Sequence, residues 1–103
     1  MKYITFKELS PKRDHPKMDE YIDKLPYTHK QTVINFLLNG GQIQLVQLSR
    51  LKDIFTGDII PYEVMVMSDG DYYWPNYLAW YVEKYNLRMP EDFEKYILEK
   101  MKE

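Results

Sequence analysis

The chain has 103 residues, the length of one domain, which excludes an enzyme with a separate cofactor-binding domain. Its 45% hydrophobic and 29% charged residues are typical of a globular domain. Fourteen basic against sixteen acidic residues leave a net charge of -2, which argues against a dedicated DNA-binding domain, and the lack of cysteine excludes disulfides, thiolate zinc sites and a cysteine nucleophile.

The first part of the chain predicts a strand, a loop and a short helix. Residues 3–6 alternate β-forming side chains, which favours a strand. Pro11 and Pro16 place a loop after it. Apolar residues then recur at helical spacing over residues 18–25, which predicts an amphipathic helix of two to three turns that ends before Pro26.

A second helix is predicted over residues 28–39. Thr28 and Gln31 have the spacing of a capping box, in which each side chain satisfies a free backbone donor at the start of the helix. Apolar residues follow on one face. Asn39, Gly40 and Gly41 are typical of a helix end, because they adopt left-handed conformations easily.

The middle of the chain changes from a helical to an extended period. Residues 42–45 alternate as in a strand, and the phase slips at Leu45 and Val46, which predicts a bulge or a strand end. Residues 51–55 are predicted to form another strand. Two further extended runs, residues 63–67 and 72–74, flank an Asp-Gly pair that favours a hairpin turn, so we expect an antiparallel sheet.

Two helices are predicted at the end of the chain. Pro75 suits the first turn of a helix that reaches about residue 86, and Pro90 suits the start of another. The order of elements predicts one α+β domain over residues 1–103. In it, about four helices pack mainly on one face of a small antiparallel sheet of three to four strands.

Aromatic residues are the unusual feature of the composition, at 16% of the chain. Seven of them lie within residues 72–85. On a helix, Trp74, Tyr81 and Tyr85 share one face with Leu78 and Val82, and this face is predicted to be core. Trp80 points to the opposite side, and exposed tryptophans are typical of binding hot spots. The predicted partner-binding residues are Trp80, Tyr77, Glu83, Lys84 and Tyr73.

Two alternatives to a foreign partner stay open for Trp80. Another part of the same chain, such as the N-terminal segment or the last helix, could cover its ring. The sequence also allows a homodimer that buries Trp80 in a two-fold interface.

The last third of the chain resembles a known pattern. The residues that carry it are the turn Ser68-Asp69-Gly70-Asp71, then Tyr72-Tyr73-Trp74-Pro75, Leu78, Tyr81-Val82, Tyr85, Pro90 and Phe93. This pattern is similar to one found in small uncharacterised bacterial proteins, some of which resemble immunity or counter-defence factors encoded beside toxins or in mobile elements. The resemblance implies a shared fold and, by analogy, a role in neutralising another protein.

Residues suited to catalysis or metal binding are few. The only histidines, His15 and His29, lie at the ends of polar segments, where capping or exposure explains them. No known metal or phosphate-binding motif is present, so no cofactor or metal is expected. The alternative is a metal-assisted hydrolase in which turn aspartates gather around a hard cation. The aspartates in question are Asp53, Asp58, Asp69 and Asp71.

A nucleic-acid accessory protein is the other alternative. The first thirty residues interleave cations with aromatic rings, which is one way to hold single-stranded nucleic acid. The candidate residues are Lys12, Arg13, Lys17 and Tyr27. Nearby acidic residues dilute this basic field, so a solvated surface of mixed charge is favoured.

The leading hypothesis is a small non-enzymatic protein that binds and inhibits another protein. The first nine residues lack the apolar run of a signal peptide, and no apolar stretch reaches the roughly 20 residues of a membrane span. We therefore expect a cytoplasmic protein without a membrane partner.

Overall fold

Within residues 2–10, 15–48 and 50–102, which the computed structural model describes, the chain forms four strands and three α-helices in an α+β arrangement. None of the helices in these residues is both long and apolar enough to cross a bilayer. The elements are β1 (Lys2–Tyr3), α1 (Lys30–Asn39), β2 (Gln42–Gln47), β3 (Val64–Ser68), β4 (Tyr72–Pro75), α2 (Leu78–Tyr85) and α3 (Glu91–Lys100).

The strands form one mixed sheet in the order β1-β4-β3-β2. β3 pairs antiparallel with both β2 and β4, but β1 pairs parallel with β4. The prediction of a purely antiparallel sheet was therefore wrong at its N-terminal strand. A parallel pair needs a long crossover connection, and an alternating pattern within β1 carries no information about so distant a partner.

The β3–β4 hairpin confirms the Asp-Gly prediction. Gly70 has φ of +101°, a value that side chains strongly disfavour. The carboxylate of Asp69 accepts hydrogen bonds from the backbone N–H groups of Asp71 (3.1 Å) and Tyr72 (3.0 Å). Local turn chemistry therefore positions both strands.

The segment between β2 and β3 contains less strand than predicted. The register of β2 against β3 shifts between Ile43 and Leu45, close to the predicted break. In place of a strand over residues 51–55, a single β-bridge joins Lys52 to Ile59. The reason is Asp53, whose side chain accepts backbone hydrogen bonds and starts a turn.

The helix predicted over residues 18–25 is absent from the described chain, which forms only a short 3-10 turn at Met18–Glu20. The backbone of the segment bonds instead to the end of α2. The N–H of Asp23 donates to the carbonyl of Tyr85 (3.1 Å), and the N–H of Arg88 donates to the carbonyl of Tyr21 (2.8 Å). These tertiary hydrogen bonds replace the helical ones.

The helix starts differ from the predictions. α1 begins at Lys30 without a side-chain cap, so the Thr28–Gln31 capping box does not form. Pro75 ends β4 instead of opening a helix. Asn76 explains this, because its side chain accepts the N–H of Met65 (2.9 Å) and keeps the chain bound to β3. The predicted helix start after Pro90 is confirmed.

Trp74 lies at the centre of the core. Its ring contacts Phe36 of α1 (4.9 Å between centroids) and Phe93 of α3 (5.7 Å), and its indole N–H donates to the carbonyl of Leu37 (2.9 Å). α2 packs on α1. The residues predicted to share the buried face of α2 with Trp74 are confirmed as core, except that Tyr85 is only half-buried.

Candidate functional site

A buried carboxylate organises the loop between β2 and β3. Residues 51–60, called the 51–60 loop from here on, fold back through the Lys52–Ile59 bridge. Asp53 is only 2% exposed, and its Oδ1 accepts hydrogen bonds from the N–H groups of Phe55 (2.7 Å) and Thr56 (3.2 Å). The carboxylate therefore stabilises the turn that begins at Asp53.

The second oxygen of Asp53 attaches the loop to α2. Oδ2 accepts hydrogen bonds from the indole N–H of Trp80 (2.8 Å) and the hydroxyl of Tyr85 (2.7 Å). Burial acts to raise the pKa of Asp53, but these two bonds and those from the backbone outweigh it and hold the pKa below its usual range. The side chain therefore stays charged, and its four donors fix the loop.

The 51–60 loop presents apolar side chains to solvent. Phe55 is 51% exposed, yet its ring packs edge-on against Tyr85 (4.9 Å between centroids) and Tyr81 (6.3 Å). Ile54 and Ile59 are exposed as well. We call Ile54, Phe55 and Ile59 the loop patch. It is held rigid by α2, since the Tyr81 hydroxyl also accepts the N–H of Ile54 (3.1 Å).

Trp80 is half-buried beside this loop. The ring of Tyr62 lies edge-on to it at 6.4 Å, and the ammonium group of Lys84 lies 4.8 Å from its centroid. The part of the chain that covers Trp80 is therefore the segment around Asp53 and Tyr62. Glu83, the neighbour of Lys84 on α2, is exposed.

Tyr77 and Tyr73 both lie near Tyr3. Tyr73 lies on the sheet face opposite Trp74, and its ring centroid is 4.7 Å from that of Tyr3. Burial, followed by the charges of Tyr77 and Tyr73, raises the pKa of Tyr3 to about 12. Tyr77 is half-buried, and burial raises its pKa too. Tyr77 also lines a cavity with Ile54 and Tyr81, so it lies between Tyr3 and the 51–60 loop.

The nucleic-acid candidates are only partly described. Lys12 and Arg13 lie outside the described residues. Lys17 is exposed, just before the short 3-10 turn. The hydroxyl of Tyr27 donates to the carbonyl of Leu87 (2.7 Å), and the guanidinium of Arg88 lies 4.5 Å from its ring. One face of the Tyr27 ring is therefore already occupied and does not offer a base-stacking surface.

The turn aspartates serve separate parts of the fold. Asp58 is exposed and accepts a hydrogen bond from the Thr56 hydroxyl, whereas Asp69 and Asp71 both accept the hydroxyl of Tyr96. In the described parts of the chain, no three acidic or histidine side chains are placed to share a metal ion.

The two histidines lie apart from these aspartates. His15 contacts the ring of Tyr3 edge-on at 6.0 Å, and His29 is exposed at the start of α1. Neither is placed beside the Asp53 carboxylate that organises the loop.

Sequence reasoning missed two features of the surface. The first is the role of Asp53, which depends on donors from α2 that lie far along the chain. The second is β2, whose six residues are all exposed although three of them are aliphatic. An uncharged strand with an alternating pattern can be recognised as a sheet edge only when the strands that pair with it are known.

Comparison of the chain with protein-family models, with curated proteins and with solved structures finds no match in any of the three. The resemblance of residues 68–93 to immunity and counter-defence proteins thus stays a prediction.

Proposed function

We propose that the protein is a non-enzymatic interaction protein that binds another protein and inhibits it by covering part of its surface. The observation that carries this proposal is that Asp53 is buried with four hydrogen bonds while its neighbour Phe55 is half-exposed. A rigid loop loses little conformational entropy when a partner binds, so a fixed exposed ring is a suitable anchor.

The surroundings of the loop patch agree with the anatomy of protein interfaces. Such interfaces have apolar anchors at the centre and charged residues at the rim. Phe55 and its isoleucine neighbours supply the anchors, and Glu83 and Lys84 supply charges nearby on α2. Trp80 then acts as a support, because its indole N–H is bonded to Asp53 and its ring is half-buried.

The inhibitory mode rests on the resemblance of the C-terminal third to immunity and counter-defence proteins. By that analogy, the partner is a toxin or an effector of a defence system. The loop patch suits a partner that presents an apolar depression to Phe55. Tyr73 packs against Tyr3 and is not needed for this contact, whereas Tyr77 lines a cavity with Ile54 and so borders the loop patch.

The test compares Phe55→Asp with Met101→Asp, which alters another exposed apolar residue at the end of α3. Tagged proteins are purified from the cells that produce the natural protein, after chemical crosslinking, and a recovered partner is then titrated with each variant. We expect Phe55→Asp to weaken binding by about tenfold or more, as for a hot-spot residue, and Met101→Asp to bind like the wild type.

Two controls complete the test. Circular dichroism melts establish that both variants are folded. If a partner inhibited by the wild type is inhibited equally by Phe55→Asp, the loop patch is not the binding surface.

A further inference from the structure

β2 is an open sheet edge without the usual protection. It lies at the end of the sheet, and every one of its six residues is exposed. Natural edge strands are normally short, charged, interrupted by proline or covered. β2 carries no charge, no proline and no glycine. The opposite edge, β1, has just two residues and includes Lys2, so the protection is found at that edge alone.

β2 presents aliphatic side chains on both faces of the sheet. Its register places Ile43 beside Met67 and Val46 beside Met65, on the face that carries the helices. Leu45 lies beside Val66 on the other face and is 60% exposed. A strand added to this edge would therefore bury apolar surface above and below the sheet.

The strand that fits this edge best is β2 itself, running antiparallel. When its centre between Gln44 and Leu45 lies on a two-fold axis, Ile43 faces Val46 of the second copy, and Gln42 faces Gln47. Both pairs lie on matching faces according to the register with β3. Aliphatic residues meet in the first pair and amides in the second, while Gln44 faces Leu45 at the centre, and no like charges oppose each other.

The residues that flank β2 agree with the same register. Leu48, which is 95% exposed, falls opposite Gly41 of the second copy. Gly41 has no side chain to oppose this leucine, and the space that its Cβ would take is filled by the Ser68 carbonyl and the Trp74 ring of its own chain. A foreign strand would have to supply this pattern, whereas a second copy supplies it automatically.

We propose that two copies of this protein associate through antiparallel pairing of β2 with β2, which joins the two sheets into one of eight strands. The contact uses the same surface on both copies and is closed, so it yields a dimer and not a filament. The edge is short, about 20 Å for six residues, so we expect a reversible dimer. This association does not depend on the loop patch or on its proposed partner.

Disulfide trapping tests the register directly, because the natural chain lacks cysteine. Ile43→Cys and Val46→Cys are prepared separately, mixed and oxidised. Directly opposed residues lie about 4.5–5.5 Å apart, within the range of a disulfide, whereas identical positions are offset by about 10 Å. We expect crosslinked dimer in the mixture and little in either variant alone. Equal crosslinking in all three samples would overturn the register.

Sedimentation equilibrium tests the dimer without any cysteine. The mass should rise with concentration from 12.6 kDa toward twice that value. Leu45→Lys should weaken the dimer about tenfold or more, because it places two ammonium groups at one interface, while Met101→Lys and Phe55→Asp should not. Circular dichroism verifies that Leu45→Lys is folded. A wild-type protein that stays monomeric at about 1 mM, or that assembles beyond the dimer, overturns the proposal.

Discussion

The indole N–H of Trp80 donates a 2.8 Å hydrogen bond to the carboxylate of Asp53, 27 positions earlier in the chain. This contact changes the interpretation of the tryptophan. A ring that holds a buried carboxylate is part of the support of the 51–60 loop and is not a free anchor. The exposed apolar residue beside it is Phe55 of the loop. In the proposed function, Phe55 and not Trp80 is the anchor for a partner.

Asp53→Asn should destabilise the protein by about 2 kcal/mol. The Asp53 carboxylate is the acceptor in all four of its hydrogen bonds. The N–H₂ group of an asparagine would face two of these donors and could not accept from them. Urea unfolding followed by circular dichroism measures the change. Asp58→Asn is the matched control, since Asp58 is exposed in the same loop, and should change stability by less than about 0.5 kcal/mol. Equal effects of the two variants would contradict this role.

Trp80→Phe should separate the hydrogen bond from the packing of the ring. It removes the indole donor and keeps an aromatic side chain, and we expect a loss of about 1 to 2 kcal/mol, because the acceptor is charged. In a double-mutant cycle with Asp53→Asn, the two losses should sum to clearly more than the loss of the double variant. Strict additivity would show that the two residues are energetically independent.

Acid should weaken the fold through Asp53 and Asp69. Burial opposes ionisation of both carboxyls, but their hydrogen bonds outweigh it and lower both pKa values. Because the unfolded value is about 3.9, this stabilisation is complete above about pH 4 and is lost as the pH falls through the folded-state values. The urea midpoint should therefore fall steeply below about pH 4, and less steeply in Asp53→Asn. Identical pH profiles would contradict the assignment.

High pH should destabilise the fold through the two tyrosines that donate hydrogen bonds to aspartates, Tyr85 and Tyr96. The hydrogen bond to Asp53, followed by burial, raises the pKa of Tyr85 to about 12, and burial and Asp69 raise that of Tyr96. A raised folded-state pKa stabilises the fold fully below the ordinary value of about 10, and this stabilisation is lost as the pH rises through about 12.

Tyrosinate absorbance measured against pH, alongside circular dichroism, checks this expectation. Tyr85 and Tyr96 should ionise only above about pH 10, together with unfolding. A single step near pH 10 in a folded protein would contradict it.

Features that depend on neighbouring residues were predicted well from the sequence. The turn around Gly70 and the helix after Pro90 both follow from backbone rules that act over a few positions. The same rules failed where a distant partner competes for the backbone. Asn76 holds Pro75 in the sheet, and the segment after Met18 bonds to the end of α2, so two local helix signals were overridden.

The sequence by itself determined the α+β fold class, the β3–β4 hairpin and the burial of Trp74. The tertiary structure alone decided that β1 runs parallel to β4, that β2 is an edge and that Asp53 joins a loop to α2. The physical reason is the range of the interactions. Periodicity and turn chemistry act between residues a few positions apart. The position of a strand at a sheet edge, and a carboxylate that accepts hydrogen bonds from distant donors, arise only when the whole chain has folded.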